Sequence, residues 1–378
     1  MMPLESKLER FFAIWEFKVD YILGASDVDG YPLAELLRLA DGDSLDRWSS
    51  LTLGYTETAG HPALRAEIAR QYETATADDI VVCGGGAVEA LYLSMHTLVD
   101  TGSHLVVVWP AFESLTKVAL AAGAEVTLVP LLAEAGWELD LDAVRRALRP
   151  NTRAIVMNYP HNPTGAQLSR AAFQTLIQLA RERGIPIVSD EVYRFMELDP
   201  ALRLPAAADL DERSISVGVM SKAYGLAGLR VGWLACRDPE LRRRIVAMKD
   251  FTTVCCSAPS EILALMALRA REQVVARCNR IVTDNLAHVD AFFHRWEGLF
   301  SWVRPKGGTV GFPLLKSPIP IGDFVTELVE QEGVLLLPGH VFDHPENRFR
   351  IGLGRRSLPR ALERLDAFVS RRFGSSAR

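Results

Sequence analysis

The sequence predicts an α/β fold: a large domain on a mostly parallel, doubly wound sheet, joined to a smaller α+β domain. Two observations predict it. From Ile80 to Val219, short apolar runs alternate with stretches of helical periodicity, the pattern of strands joined by crossover helices. After Arg242 the pattern becomes long and helical before short strands return. A length of 378 residues suits one large unit plus a smaller one.

The elements follow in order. Glu5 to Phe17 reads as an amphipathic helix with Leu8, Phe11, Phe12 and Trp15 on one face. Asp27 to Pro32 reads as a turn. The strands are Ile80 to Val82, Leu105 to Trp109, Glu125 to Val129, Ala154 to Met157, Ile185 to Ser189 and Ser214 to Val219. Arg170 to Arg183 is one of the intervening helices, and Glu261 to Trp296 reads as long helix. Thr309 to Phe312, Val334 to Leu337 and Phe349 to Leu353 are short terminal strands, and Ser375 to Arg378 is a frayed tail. There is no internal repeat.

Composition narrows the function classes. Hydrophobic residues make up 49% and charged residues 24%, an ordinary globular balance. A net charge of −5 gives no basic footprint for nucleic acid. No apolar run approaches a membrane span, and the first seven residues have no signal-peptide core. The five cysteines show no metal-ligand or disulfide spacing, so no metal is expected and a cytoplasmic location fits.

Chemistry gathers at strand ends. Met220-Ser221-Lys222-Ala223-Tyr224-Gly225 follows an apolar strand, and Arg230 stands eight positions after Lys222. A crowded lysine loses pKa and can become a Schiff-base nucleophile, whereas an exposed one is only a surface charge. Upstream, Asn158-Tyr159-Pro160-His161-Asn162-Pro163 and Ser189-Asp190-Glu191-Val192-Tyr193 each end another strand. In open α/β sheets the carboxyl edge is where ligands bind. Gly84-Gly85-Gly86-Ala87-Val88 joins a strand to a helix, a setting whose N–H groups suit an anion.

This ordered series, from about Tyr55 to Arg350, resembles the class I/II aminotransferases of fold type I, enzymes dependent on pyridoxal 5'-phosphate. The resemblance implies a large cofactor-binding domain over 46–275 and a small domain over 1–45 and 276–378. It makes Lys222 the Schiff-base lysine, Asp190 the partner of the pyridine nitrogen, and Tyr193 and Asn162 the partners of the ring's phenolate oxygen. Gly86, Ala87, Val88, Ser221 and Arg230 are implied for the phosphate, and Phe112 for stacking on the ring. Tyr55 matches a tyrosine that reaches the phosphate across a homodimer. Arg350 matches the arginine that clamps the substrate carboxylate. Alternation along a strand puts Arg348 on the same face, so the choice of Arg350 rests on the resemblance. Val219 stands where the family often has a phosphate-binding serine.

The opening Trp15-Glu16-Phe17 and Ser26-Asp27-Val28-Asp29-Gly30 resemble a group within this superfamily that includes arginine oxidases and cyclases making capreomycidine or enduracididine. In that group an N-terminal helix closes over the substrate and acidic residues meet its guanidinium. Glu16, Asp27 and Asp29 are the corresponding substrate-binding candidates. The leading expectation is an aminotransferase-like enzyme acting on an L-amino acid through a Lys222 Schiff base and a quinonoid carbanion. The alternative is a cyclase or oxidase acting on arginine or hydroxyarginine. A ligand-sensing regulator is the distant third: the residues before Tyr55 lack a basic recognition helix.

Overall fold

The computed structural model describes residues 5–374 of the chain. The tail expected at Ser375 to Arg378 lies outside them.

An eight-stranded sheet forms the centre. Its strands are β1 (Ile80–Cys83), β2 (His104–Trp109), β3 (Glu125–Leu132), β4 (Glu138–Leu139), β5 (Thr152–Asn158), β6 (Ile187–Asp190), β7 (Ile215–Val219) and β8 (Gly232–Ala235). Their spatial order is β1-β8-β7-β6-β5-β2-β3-β4. The five strands β7-β6-β5-β2-β3 run parallel, while β8 and β4 run against their neighbours. Burial on both faces explains the sequence pattern: Val106 and Ile155 face one apolar cluster, Val107 and Val156 the other.

Local chemistry sets the ends. Helix α2 (Ala87–Leu98) follows β1 directly. Helix α3 (Arg170–Arg183) begins where the Ser169 side chain accepts the Ala172 N–H and stops at Gly184, whose φ of 67° is left-handed. Strand β6 starts at Ile187 rather than Ile185, because Pro186 has no N–H to give a ladder. Strand β8 was not read from the sequence. It needs two small residues: Gly218 lies under the Trp233 indole, and a Cβ on Gly232 would stand 2.5 Å from the Gly86 carbonyl carbon. Gly232 therefore lets the glycine-rich turn sit directly against the sheet.

The terminal regions differ from expectation in four places. The helix read through Glu261 to Trp296 is two helices, Ala258–Arg269 and Arg271–Arg295, broken at Ala270. Val334 to Leu337 is divided: Val334–Leu335 pairs in parallel with Tyr21–Ile22, and Leu337–Pro338 pairs antiparallel with Phe349–Arg350. Asp27 to Pro32 forms no hydrogen-bonded turn of its own; the Asp29 and Tyr31 N–H groups donate instead to the Gly354 and Gly225 carbonyls. The N-terminal helix, α1, spans Lys7–Trp15, shorter at both ends than expected.

The run from Leu23 to Val28 is clamped against Gly352 and Gly354. A Cβ on Gly352 would run into the Ala25 carbonyl oxygen, and one on Gly354 into that of Asp27. Both neighbours are backbone and cannot swing away. Gly352→Ala is therefore expected to destabilise the chain by about 1–3 kcal/mol in urea unfolding. Gly30→Ala, where nothing lies within 4 Å, is the control expected to leave stability unchanged.

Candidate active site

A single cleft collects the strand ends, with about 1140 Å³ of space that is partly open to solvent. The carboxyl ends of β5, β6 and β7 bring Asn158 and Asn162, Asp190 and Tyr193, and Ser221 and Lys222 to its wall. The turn after β1 adds Ala87 and Val88, and the segment after β2 adds Phe112. Arg230 and Arg350 line it too, whereas Gly86 does not.

Each group is held by a definite contact. Lys222 Nζ donates to the Ser26 hydroxyl at 2.9 Å. Tyr193 donates its phenol to the Ser26 carbonyl at 3.2 Å. Arg230 donates to the Gly85 carbonyl at 3.0 Å, and its own φ of 54° aims it back at the glycine-rich turn. A Cβ on Gly86 would come within 3.1 Å of that guanidinium, so only glycine leaves the space between them open. Val219, in place of a hydroxyl residue, lines the same end.

Asp190 is 4% exposed. Burial, only partly opposed by the Val192 N–H and the Lys222 charge, pushes its carboxyl up to about 7. Such a carboxylate suits a cationic partner in the cleft. Arg350 is 2% exposed. Its guanidinium donates twice to the Gly24 carbonyl, at 3.0 and 2.8 Å, and once to Asn162 Oδ1 at 3.1 Å. Burial lowers its pKa to about 10, which leaves it charged at neutral pH. Both acceptors are neutral, so the fork keeps its appetite for an anion. Arg348 does not share the cleft; it pairs with Glu346 and covers the Trp137 ring at 4.6 Å.

The acidic candidates divide. Glu16 and Asp27 line the cleft, joined by Glu9. Asp29 does not line it. Its carboxylate accepts the Arg356 N–H at 2.7 Å and faces Arg355 at 3.5 Å, while Asp27, which does line the cleft, pairs with the same Arg355 at 2.8 Å. Tyr55 is also off the cleft of its own chain, at 94% exposure.

Sequence reasoning missed Glu9, Ser26 and Asn158. Asn158 donates to the Asp190 carbonyl at 2.8 Å and accepts the Asn162 N–H at 2.7 Å, fixing both neighbours. Its place at the end of the strand was the available signal. Glu9 could have been found from its spacing: Glu9, Phe12 and Glu16 recur at helical intervals on one face. Nothing local in the sequence marks Ser26, whose position depends on long-range clamping.

Among the described residues, no helix is long and apolar enough to cross a membrane, and no acidic, His and Cys cluster is placed to hold a metal.

Comparison with known proteins agrees with this geometry. The family model described as aminotransferase class I and II matches residues 45–365. Capreomycidine synthase from Streptomyces vinaceus is 34% identical over 382 residues, covering 100% of this chain and 94% of that protein. A PLP-dependent aminotransferase from Streptococcus suis superposes with a TM-score of 0.92 at 29% identity, over 98% of this chain and 99% of that one. The PLP-dependent cyclase OrfR superposes with a TM-score of 0.88 at 28% identity, over 97% of both chains.

The state of Asp190 has a measurable consequence in the ligand-free chain. Folded, this carboxyl takes its proton near pH 7; unfolded, it does so near 4. Between those values the folded chain holds the extra proton, so rising pH removes stability, on the order of 4 kcal/mol across the window. Asp190→Asn is expected to remove this carboxyl's share of the slope in denaturant titrations at pH 4 to 7, leaving a shallower fall in stability. An unchanged slope would contradict the assignment.

Proposed function

This chain belongs to the class I and II aminotransferase family and is a pyridoxal 5'-phosphate-dependent enzyme acting on an amino acid; from that premise we propose that its substrate carries a guanidinium side chain. We propose further that the reaction is the cyclising loss of water from a hydroxylated arginine. One observation carries the reading. The cleft wall formed by the N-terminal region presents Glu9, Glu16 and Asp27 together. Burial, then the charges of Asp27 and Glu9, raise the pKa of Glu16, while Arg355 only partly offsets them. A cationic side chain relieves that repulsion. The match to capreomycidine synthase supports it, because it extends through the first 44 residues, which the family model leaves unmatched.

The residues present fit the cofactor. The turn that Gly232 and Gly86 keep open, with Arg230 across it, suits a phosphate. A buried carboxylate at Asp190 suits a protonated ring nitrogen, and Phe112 offers a face for stacking. When bound, pyridoxal phosphate withdraws electrons from the substrate Cα and makes its proton acidic. The Lys222 amine would hold the cofactor covalently and, when free, would accept that proton. Asp190 would keep the ring nitrogen protonated, and Tyr193 and Asn162, on the same cleft wall, would serve the phenolate oxygen. The Arg350 fork grips the α-carboxylate and so fixes the Cα–H bond relative to Lys222. Glu9, Glu16 and Asp27 orient the guanidinium. In the net change, a guanidine nitrogen bonds to the carbon that bore the hydroxyl, and the hydroxyl departs with a proton as water.

A second reading is transamination of arginine. It is favoured by the complete Lys222, Asp190 and Arg350 set and by the likeness to the Streptococcus suis aminotransferase.

We further propose a homodimer in which Tyr55 reaches the partner's phosphate site. Leu53, Tyr55 and Phe251 are exposed, and Thr56 bonds the Cys256 carbonyl at 3.5 Å, which makes the two segments neighbours. The division into 46–275 against 1–45 and 276–378 is supported by the central sheet falling within 80–235 and by the pairing of Tyr21–Ile22 with Val334–Leu335. The five unbridged cysteines favour a reducing compartment such as the cytoplasm.

Incubation with hydroxyarginine, or with arginine and a 2-oxo acid, followed by mass spectrometry separates the readings. Loss of water with the amino group retained is expected. Amino transfer to the oxo acid would establish transamination instead. Glu16→Gln is expected to raise KM for the guanidino substrate roughly tenfold, and Lys222→Ala to abolish turnover together with the cofactor's protein-bound absorbance.

A further inference from the structure

The face of α1 that carries Leu8, Glu9 and Phe12 forms part of the cleft wall, and Glu16 follows at its end. A helix of nine residues is marginal by itself. Something outside α1 must hold it in place.

That something is Glu113. It follows Phe112 directly and is 5% exposed. One carboxylate oxygen accepts the Lys7 N–H at 3.2 Å. The other accepts the Leu8 N–H at 3.0 Å and the Ser6 hydroxyl at 2.6 Å. Ser6 in turn caps α1 by accepting the Glu9 N–H at 3.2 Å. The first N–H groups of any helix lack partners within it, and the helix dipole favours a negative charge there. Glu113 answers both demands from more than 100 residues away in the sequence. Around it, Lys117 stands 3.7 Å from Glu113 and 3.8 Å from Asp343, and Lys7 also pairs with Asp343. The Lys7–Asp343 pair is half-exposed on both sides and contributes little.

We propose that Glu113 is a positioning residue for substrate: it ties the start of α1 to the short segment after β2 and thereby holds Glu9 and Glu16 over the cleft. The buried carboxylate acts through the helix and touches neither substrate nor cofactor. Because Phe112 is its chain neighbour, the same short segment that faces the cofactor ring also sets the position of the substrate wall. Specificity for the side chain is thus tied to the geometry of the ring. This rests on the reading that α1 covers the substrate's side chain.

The test uses the holoenzyme. Amide hydrogen exchange over residues 8–16 is measured first without substrate, so its outcome is independent of what the substrate is. Glu113→Ala is expected to speed exchange in α1 by roughly tenfold or more, since charge-assisted bonds to two backbone donors are lost. Glu113→Gln, which retains an acceptor oxygen, is expected to fall between. Lys7→Ala, which removes only the exposed pair, is expected to stay within about twofold of the unaltered enzyme. With substrate, Glu113→Ala is expected to raise KM roughly tenfold with kcat changed much less. The cofactor's bound absorbance is expected to be unaltered. Exchange in α1 unchanged in both Glu113 variants overturns the proposal. So does a fall in kcat at constant KM, which would mean that Glu113 acts on the chemistry itself. If Glu113→Ala does not fold, Glu113→Gln alone decides: faster exchange with raised KM supports the seat, and neither change refutes it. Failure of the guanidinium reading would show separately, as indifference of the unaltered enzyme to arginine and hydroxyarginine.

Discussion

One buried guanidinium ties together three stretches that are far apart in the sequence. Arg350 lies on a strand near the carboxyl terminus, bonds the Gly24 carbonyl near the amino terminus, and bonds Asn162 beyond the end of β5. Burying a charge is costly unless polar atoms surround it. Here the cost is met by neutral oxygens only, so the cation keeps its capacity for a carboxylate. The arrangement requires the run from Leu23 to Val28 to pass close to the strand, which is why Gly352 and Gly354 have no room for side chains. The same run then delivers Ser26 to Lys222 and Asp27 to the cleft. Carboxylate binding, lysine placement and side-chain recognition all hang from one packed crossing.

The legibility of this architecture varied with the range of the interactions that determine it. The parallel strands could be read because each is an apolar run buried on both faces, a local signal. Helix α3 could be read to the residue, because Ser169 and Gly184 declare its ends. Strand β8 could not, since its place between β1 and β7 depends on Gly218 and Gly232 meeting partners elsewhere. The division of Val334 to Leu337 between two pairings was hidden for the same reason. Both partners, Tyr21–Ile22 and Phe349–Arg350, lie outside any local window.

The site shows the same gradient. Lys222, Asp190 and Asn162 were visible because strand ends in a parallel sheet converge by topology alone. Choosing between Arg348 and Arg350 needed the fold: one covers Trp137, the other enters the cleft. Asp27 and Asp29 stand two positions apart and both face Arg355, at 2.8 and 3.5 Å, yet Asp29 also takes the Arg356 N–H while Asp27 reaches the cleft. Composition made the two residues equivalent. Long-range packing made them different.

Membership of the family fixes the means of removing a proton from Cα, and it leaves the fate of the carbanion to the surroundings. In this chain the surroundings are the helix α1, the acidic wall and the segment from Ser26 to Asp27. A cationic side chain held against Glu9, Glu16 and Asp27 cannot swing away while Lys222 acts at Cα, because both ends of the molecule are gripped by opposite charges. That two-point hold favours reaction between parts of one substrate over exchange with a second. An intramolecular partner already in place has an effective concentration that a diffusing acceptor cannot match. The acidic wall is therefore more than a device for affinity. In the proposed reaction the wall would hold the guanidine within reach of the backbone carbons and so bias the enzyme toward ring closure, with residues that take no part in moving the proton.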